Sequence, residues 1–122
     1  MFIKVKIPNL NASSKLIPKI ENKDVIIIDD LIDTGGTISM ASKVIMEKGA
    51  KSVRAIITHP VLSGNAEENL EKSALSELVV TDSIPLKFRN KKIKVLSIAG
   101  LLAKAIRKIH ENESTSSLFI NR

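Results

Sequence analysis

Cysteine, tryptophan and tyrosine are absent from this chain of 122 residues, and three phenylalanines supply all its aromatic rings. Without thiols there is no disulfide framework and no thiolate chemistry. With so few aromatics there is no platform on which successive bases of a single strand could stack, so that mode of nucleic-acid binding is set aside. No segment approaches the roughly 20 consecutive apolar residues of a membrane helix. The opening Met1-Phe2-Ile3-Lys4-Val5-Lys6-Ile7-Pro8 interrupts its apolar residues with lysines, so it does not read as a signal peptide. A cytoplasmic protein with no membrane partner is the expectation.

What is present is ordinary for a globular protein: 43 % hydrophobic and 26 % charged residues, enough for one compact domain with a modest core. The formal net charge of +6 suits an anionic ligand, phosphate compounds as much as nucleic acid, and is equally explained by exposed lysines. The two histidines, His59 and His110, lie too far apart in sequence to suggest a zinc site.

The expected fold is α/β. Residues 1–20 form a poorly defined segment, with Pro8 and Pro18 against a continuous helix. Residues 24–29 read as a buried parallel strand, because their apolar run is continuous rather than alternating. A helix follows over residues 36–48, with Ile38, Met40, Ala41, Val44, Ile45 and Met46 as its apolar residues and Gly49 as its stop. Met40 and Met46 read as core. Residues 53–58 form a second strand, ending in a loop at His59-Pro60. Residues 65–73 form a short polar helix with Asn65 as a candidate N-cap. Strands follow over 77–81 and 93–97, separated by a turn at Asp82-Ser83-Ile84-Pro85. The last helix covers residues 98–111, with Leu101, Leu102, Ala105, Ile106 and Ile109 on one face. The tail, residues 114–120, is a short strand or a docked end. This order implies a parallel sheet flanked by helices, joined by right-handed crossovers. Ligands of such folds bind beyond the carboxyl ends of the strands, where Asp29/Asp30, Thr58/His59 and Thr81/Asp82 fall.

Chemistry concentrates in residues 25–37. The run Val25-Ile26-Ile27-Ile28 leads to the adjacent carboxylates Asp29 and Asp30. Asp33-Thr34-Gly35-Gly36-Thr37 then opens a helix. Such a turn offers consecutive backbone N–H groups, two hydroxyls, and two glycines that allow close approach of a phosphate. The helix N-terminus behind it adds favourable partial charge. Taken alone, the carboxylate pair is equally explained as a turn cap and a solvated acid. The pattern is not the Walker loop, because no Gly-Lys-Ser/Thr follows, nor the dinucleotide fingerprint. His59 reads as structural, His110 as surface, and Arg89 with Lys91-Lys92 as a solvated basic turn.

Residues 25–37 resemble the ribose-phosphate signature of type I phosphoribosyltransferases. Asp33 followed by Thr34-Gly35-Gly36-Thr37 narrows the likeness to the ribose-phosphate pyrophosphokinase family, bacterial type. Further segments are similar to that family: Thr58-His59-Pro60 with Ser63-Gly64-Asn65-Ala66, Val79-Val80-Thr81-Asp82-Ser83-Ile84-Pro85, Leu102-Ala103-Lys104-Ala105-Ile106-Arg107, and Glu113-Ser114 with Leu118-Phe119. The resemblance spans roughly residues 20–120 and implies a type I phosphoribosyltransferase-like domain over residues 21–122.

What it implies about function is specific. The family transfers the diphosphoryl group of ATP to ribose 5-phosphate, giving phosphoribosyl pyrophosphate and AMP for nucleotide biosynthesis, with Mg2+ as cofactor. Asp29 and Asp30 match the acids that engage the ribose hydroxyls, directly or through the metal. Asp33, Thr34, Gly35, Gly36 and Thr37 match the loop that holds the 5-phosphate. Ser114, Ser116 and Phe119 match residues of a regulatory site at subunit contacts. The resemblance covers only the C-terminal of two domains, so the chain is expected to be an incomplete catalyst. Homo-oligomerisation, or association with a chain carrying the first domain, is the expected remedy. A non-catalytic ribose-phosphate-binding or regulatory subunit and a phosphoribosyltransferase are the alternatives.

Overall fold

The computed structural model describes residues 2–5 and 19–119, the first four by their backbone alone. Five parallel strands form one sheet: β1 (Phe2–Val5), β2 (Asp24–Ile32), β3 (Ser52–Pro60), β4 (Glu77–Thr81) and β5 (Ile93–Leu96). Their order in the sheet is their order in the chain. Helix α1 (Gly36–Glu47) connects β2 to β3, and α2 (Ala66–Lys72) connects β3 to β4. Helix α3 (Ala99–His110) follows β5, and a 3-10 turn (Ser116–Leu118) follows it.

A sequential strand order has a topological consequence. Right-handed crossovers between neighbouring parallel strands, taken always in the same direction, return on the same face. Alternation along the strands agrees with this. Val25 and Ile27 of β2, Val53, Ala55 and Ile57 of β3, and Leu78 and Val80 of β4 are all 0–1 % exposed. They pack with Ile38, Ala41 and Ile45 of α1 and with Ala66 and Leu70 of α2. Burying each large side chain contributes about 1.5–3 kcal/mol. The opposite face carries Ile26, Ile28, Arg54, Ile56, Glu77 and Val79, none of them fully buried.

Several expectations need correction. The segment before residue 20 contributes a strand, Phe2–Val5, that composition did not reveal. β2 and β3 run beyond their expected ends, to Ile32 and Pro60, because Leu31 pairs with His59 and Ile32 with Pro60. The loop expected at His59-Pro60 is therefore ladder on the β2 side. Pairing with β4 stops at Ile57, so Pro60 lies where β3 has become an edge, and its missing N–H costs no ladder bond. Met40 and Met46 are 59 % and 37 % exposed, not core. The inward stripe of α1 is Ile38, Ser39, Ala41, Ser42 and Ile45. Ser42 satisfies its buried hydroxyl by donating to the Ser39 carbonyl (2.7 Å) and accepting from the Ala74 N–H (3.0 Å). Asn65 precedes α2 without a side-chain capping bond. The tail makes the 3-10 turn, with no strand among the described residues 114–119.

Gly49 does end α1. It adopts φ 89°, and its N–H and that of Ala50 return to the carbonyls of Met46 and Ile45. That pairing is the Schellman stop, which needs a left-handed residue. At the far side, Lys92 is not simply solvated. Its Nζ lies 3.0–3.3 Å from the carbonyls of Leu70, Glu71 and Ser73 and so caps the C-terminus of α2.

Candidate functional site

Asp29 and Asp30 lie within the β2 strand, three and two residues short of its end at Ile32 rather than at that end. Asp29 faces Ile57 across the ladder and is half-buried; Asp30 is exposed. One oxygen of Asp29 accepts the N–H of Asp30 at 2.9 Å, which fixes that carboxylate beside its neighbour.

After Ile32 the chain turns through Asp33, Thr34 and Gly35 into α1. Gly35 has φ 75° and stands at the N-cap of the helix. A side chain there would be strained, because L-residues meet their own carbonyl in that conformation. No side chain caps α1, and its first backbone bond is from Ser39 N–H to the Gly35 carbonyl (2.9 Å). The N–H groups of Gly36, Thr37 and Ile38 precede that bond and have no acceptor within the helix. They converge with the positive end of the helix dipole, an arrangement that binds phosphate.

The segment between β3 and α2 braces this turn. The Ser63 N–H donates to the Asp33 carbonyl (3.1 Å), and the Ser63 hydroxyl donates to the Asp33 carboxylate. The Asn69 amide donates to the Thr34 carbonyl at 2.8 Å. The N–H groups of Val61 and Leu62 both reach the Ile32 carbonyl, at 3.0 and 3.2 Å. Sequence reading quoted Ser63 only as part of a family-like segment and missed Asn69. Its one available signal was a polar residue facing inward on a short helix.

The ends of β3 and β4 form an adjoining network. Thr81 Oγ1 and Ser83 Oγ donate to the Thr58 carbonyl at 2.7 and 3.2 Å, and His59 Nδ1 is 2.8 Å from Ser83 Oγ. Asp82 accepts the Ile98 N–H at 2.8 Å. The Ser97 hydroxyl, together with that N–H, holds the Asp82 carboxyl below the usual carboxylate range. Ser114 and Ser116 are brought together, with their hydroxyls 2.6 Å apart, and Phe119 is 72 % exposed. Among the described residues no three acidic, histidine or cysteine groups cluster as a preformed metal site.

The phosphoribosyl synthetase-associated domain family matches residues 2–120. The chain belongs to that family. Its relatives include the ribose-phosphate pyrophosphokinases of Helicobacter hepaticus, 57 % identical over 91 % of this chain, and of Wolinella succinogenes, 51 % identical over 92 %. Each alignment covers 36 % of the relative, so the chain spans about a third of the length of the curated relatives it matches. In three dimensions it is similar to phosphoribosylpyrophosphate synthetase from Mycobacterium smegmatis. The TM-score is 0.76 at 42 % identity, over 79 % of this chain and 33 % of that one. Among the described residues no helix is long and apolar enough to cross a membrane.

Proposed function

We propose that this phosphoribosyl synthetase-associated domain carries the ribose 5-phosphate half-site of a ribose-phosphate pyrophosphokinase and corresponds to its C-terminal domain. The reaction served is transfer of diphosphate from ATP to ribose 5-phosphate, giving phosphoribosyl pyrophosphate and AMP in cytoplasmic nucleotide biosynthesis. One observation carries the reading: two adjacent carboxylates on β2 run directly into an uncapped helix N-terminus through a left-handed glycine. The loop of Asp33, Thr34, Gly35, Gly36 and Thr37 receives the 5-phosphate through its backbone N–H groups, not through the Asp33 carboxylate. Asp29 and Asp30 accept from the ribose hydroxyls. The sugar is thus held at both ends, and its anomeric oxygen is aimed away from the loop. Catalysis of this class is chiefly positioning and charge neutralisation.

The donor set fits Mg2+, which keeps several waters and typically takes one or two carboxylates together with substrate oxygens. Asp29 and Asp30 would hold it, and its charge would offset that of the phosphates. The ATP-handling groups are expected from a further domain or a second copy docked on α3. One observation supports such docking: α3 exposes Leu101, Leu102, Ile106 and Ile109 by at least half, with none of its residues buried. The paired hydroxyls of Ser114 and Ser116, beside exposed Phe119, support a subunit-contact or regulatory role for the tail.

The test is calorimetry of the purified chain with ribose 5-phosphate, with and without Mg2+, alongside an assay for AMP release from ATP. Binding without AMP is the expected result. Absence of binding under both conditions contradicts the half-site.

A further inference from the structure

The β3–α2 segment does more than cover the loop; it sets which way the loop's peptide groups face. A trans peptide is planar, so its C=O and N–H point in opposite directions. The carbonyl of Asp33 is held by the Ser63 N–H at 3.1 Å, and the carbonyl of Thr34 by the Asn69 side-chain amide at 2.8 Å. Each bond turns the following N–H, of Thr34 and of Gly35, away from the β3–α2 segment. Two consecutive donors are thereby presented together, and two carbonyl oxygens that would repel an anion are tied away from it.

The carboxylate of Asp33 raises a second problem, since a free acid in a phosphate cradle opposes binding. Here it accepts the Ser63 hydroxyl. The side chain is thus directed to the neighbouring segment. The two segments also lie side by side: a Cβ on Gly64, itself at φ 55°, would be 3.9 Å from Thr34 Cγ2, and one on Gly35 would be 3.7 Å from Asn69 Cβ, both ordinary van der Waals contact.

We propose that Ser63 and Asn69 are positioning residues for the anion cradle, and that Asp33 acts through Ser63 rather than on the ligand. This rests on the reading of residues 33–37 as the ribose 5-phosphate cradle. Neither Ser63 nor Asn69 needs to touch the ligand. Their effect is to pre-orient N–H groups that would otherwise have to be ordered when the phosphate arrives.

The test is calorimetric titration of ribose 5-phosphate into the full chain and its S63A, S63T, N69A and N69D variants. Thermal midpoints are measured in parallel. Amide shifts of Thr34 and Gly35 are recorded with inorganic phosphate as a second probe. S63A and N69A are expected to weaken binding by about tenfold with midpoints close to wild type, while S63T stays within about twofold because it keeps the hydroxyl. N69D is expected to be worse than N69A, because it replaces the donor with an anion facing the Thr34 carbonyl. A purely packing role would make the isosteric N69D the milder change. If the wild type binds ribose 5-phosphate and S63A, N69A and N69D all bind within about twofold of it, the positioning role is wrong and the cradle stands. If the wild type does not bind, the cradle reading itself is wrong and the positioning role goes with it.

Discussion

Asp29 stands opposite Ile57 in the parallel β2–β3 ladder, so one of the two acids proposed to meet the ribose hydroxyls is anchored on a core strand. Ile57 is fully buried beneath α1 and α2, and Asp29 inherits that rigidity. Placing acids on a strand and the phosphate loop immediately after it fixes the distance between the two ends of a bound sugar phosphate. Substituting Asp29→Asn or Asp30→Asn should weaken ribose 5-phosphate binding about 10- to 100-fold, since charge-assisted hydrogen bonds contribute about 1.5–3 kcal/mol each. Isothermal calorimetry with matched urea unfolding measures this; unchanged affinity in both variants would remove the acids from the site.

Gly35 and Gly36 should respond differently to alanine. Gly35 is left-handed at φ 75°, so Gly35→Ala carries about 1–2 kcal/mol of backbone strain. Gly36 is helical, and an added Cβ there would meet its nearest atoms at 3.8 and 3.9 Å, ordinary contact. Gly36→Ala should leave stability unchanged or slightly raised, because alanine is the better helix former. Urea denaturation of the two variants separates these outcomes, and equal destabilisation would contradict the assigned loop conformation.

The attachment of α3 should be acid-sensitive. Asp82 has its carboxyl held low, chiefly by the Ser97 hydroxyl and then by the Ile98 N–H at the start of α3. A depressed native pKa means stability that is fully present above the unfolded value, about 3.9, and lost as pH falls through the native one. Carboxyl carbon shifts should show Asp82 titrating below ordinary aspartates, with the Ile98 amide signal moving in the same step. A normal titration for Asp82 would discount this link.

Helix α3 should govern association rather than folding of the domain. Its apolar residues are exposed, with Ile106 at 68 %, and none of the helix is buried. Ile106→Glu should therefore change domain stability by no more than about 0.5 kcal/mol. It should also reduce any self-association or binding to a companion chain seen by sedimentation velocity. A large loss of stability with unchanged sedimentation would show that α3 packs within the domain.

Much of the fold was legible because its signals are local. The continuous apolar run of β2, the inward Ile38, Ala41 and Ile45 of α1 and the glycine stop at Gly49 each reside in a short window, and β4 appeared with its observed bounds, Glu77–Thr81. The turn into α1 through Gly35 was legible for the same reason, whereas the two carboxylates were expected at the end of β2 and lie inside it. What was not legible depends on distant partners. β2 extends to Ile32 only because β3 offers Pro60 beside it, and Lys92 is drawn from solvent by carbonyls at the end of α2. Met40 and Met46 counted as core because they are apolar, whereas helical phase gives the inward positions to Ser39 and Ser42. Ser63 and Asn69 reach Asp33 and Thr34 across 30 and 35 residues of sequence, a relation that no local pattern encodes.

The central claim is that the turn after β2 receives the phosphate while Asp29 and Asp30 receive the sugar. Its most direct test is a nitrogen-edited NMR titration of the chain with ribose 5-phosphate, compared with inorganic phosphate. Both ligands should shift the amides of Thr34, Gly35, Gly36 and Thr37, and only ribose 5-phosphate should also shift those of Asp29 and Asp30. Shifts confined to the basic turn at Arg89, Lys91 and Lys92, or no saturable shifts in residues 29–37, would contradict it.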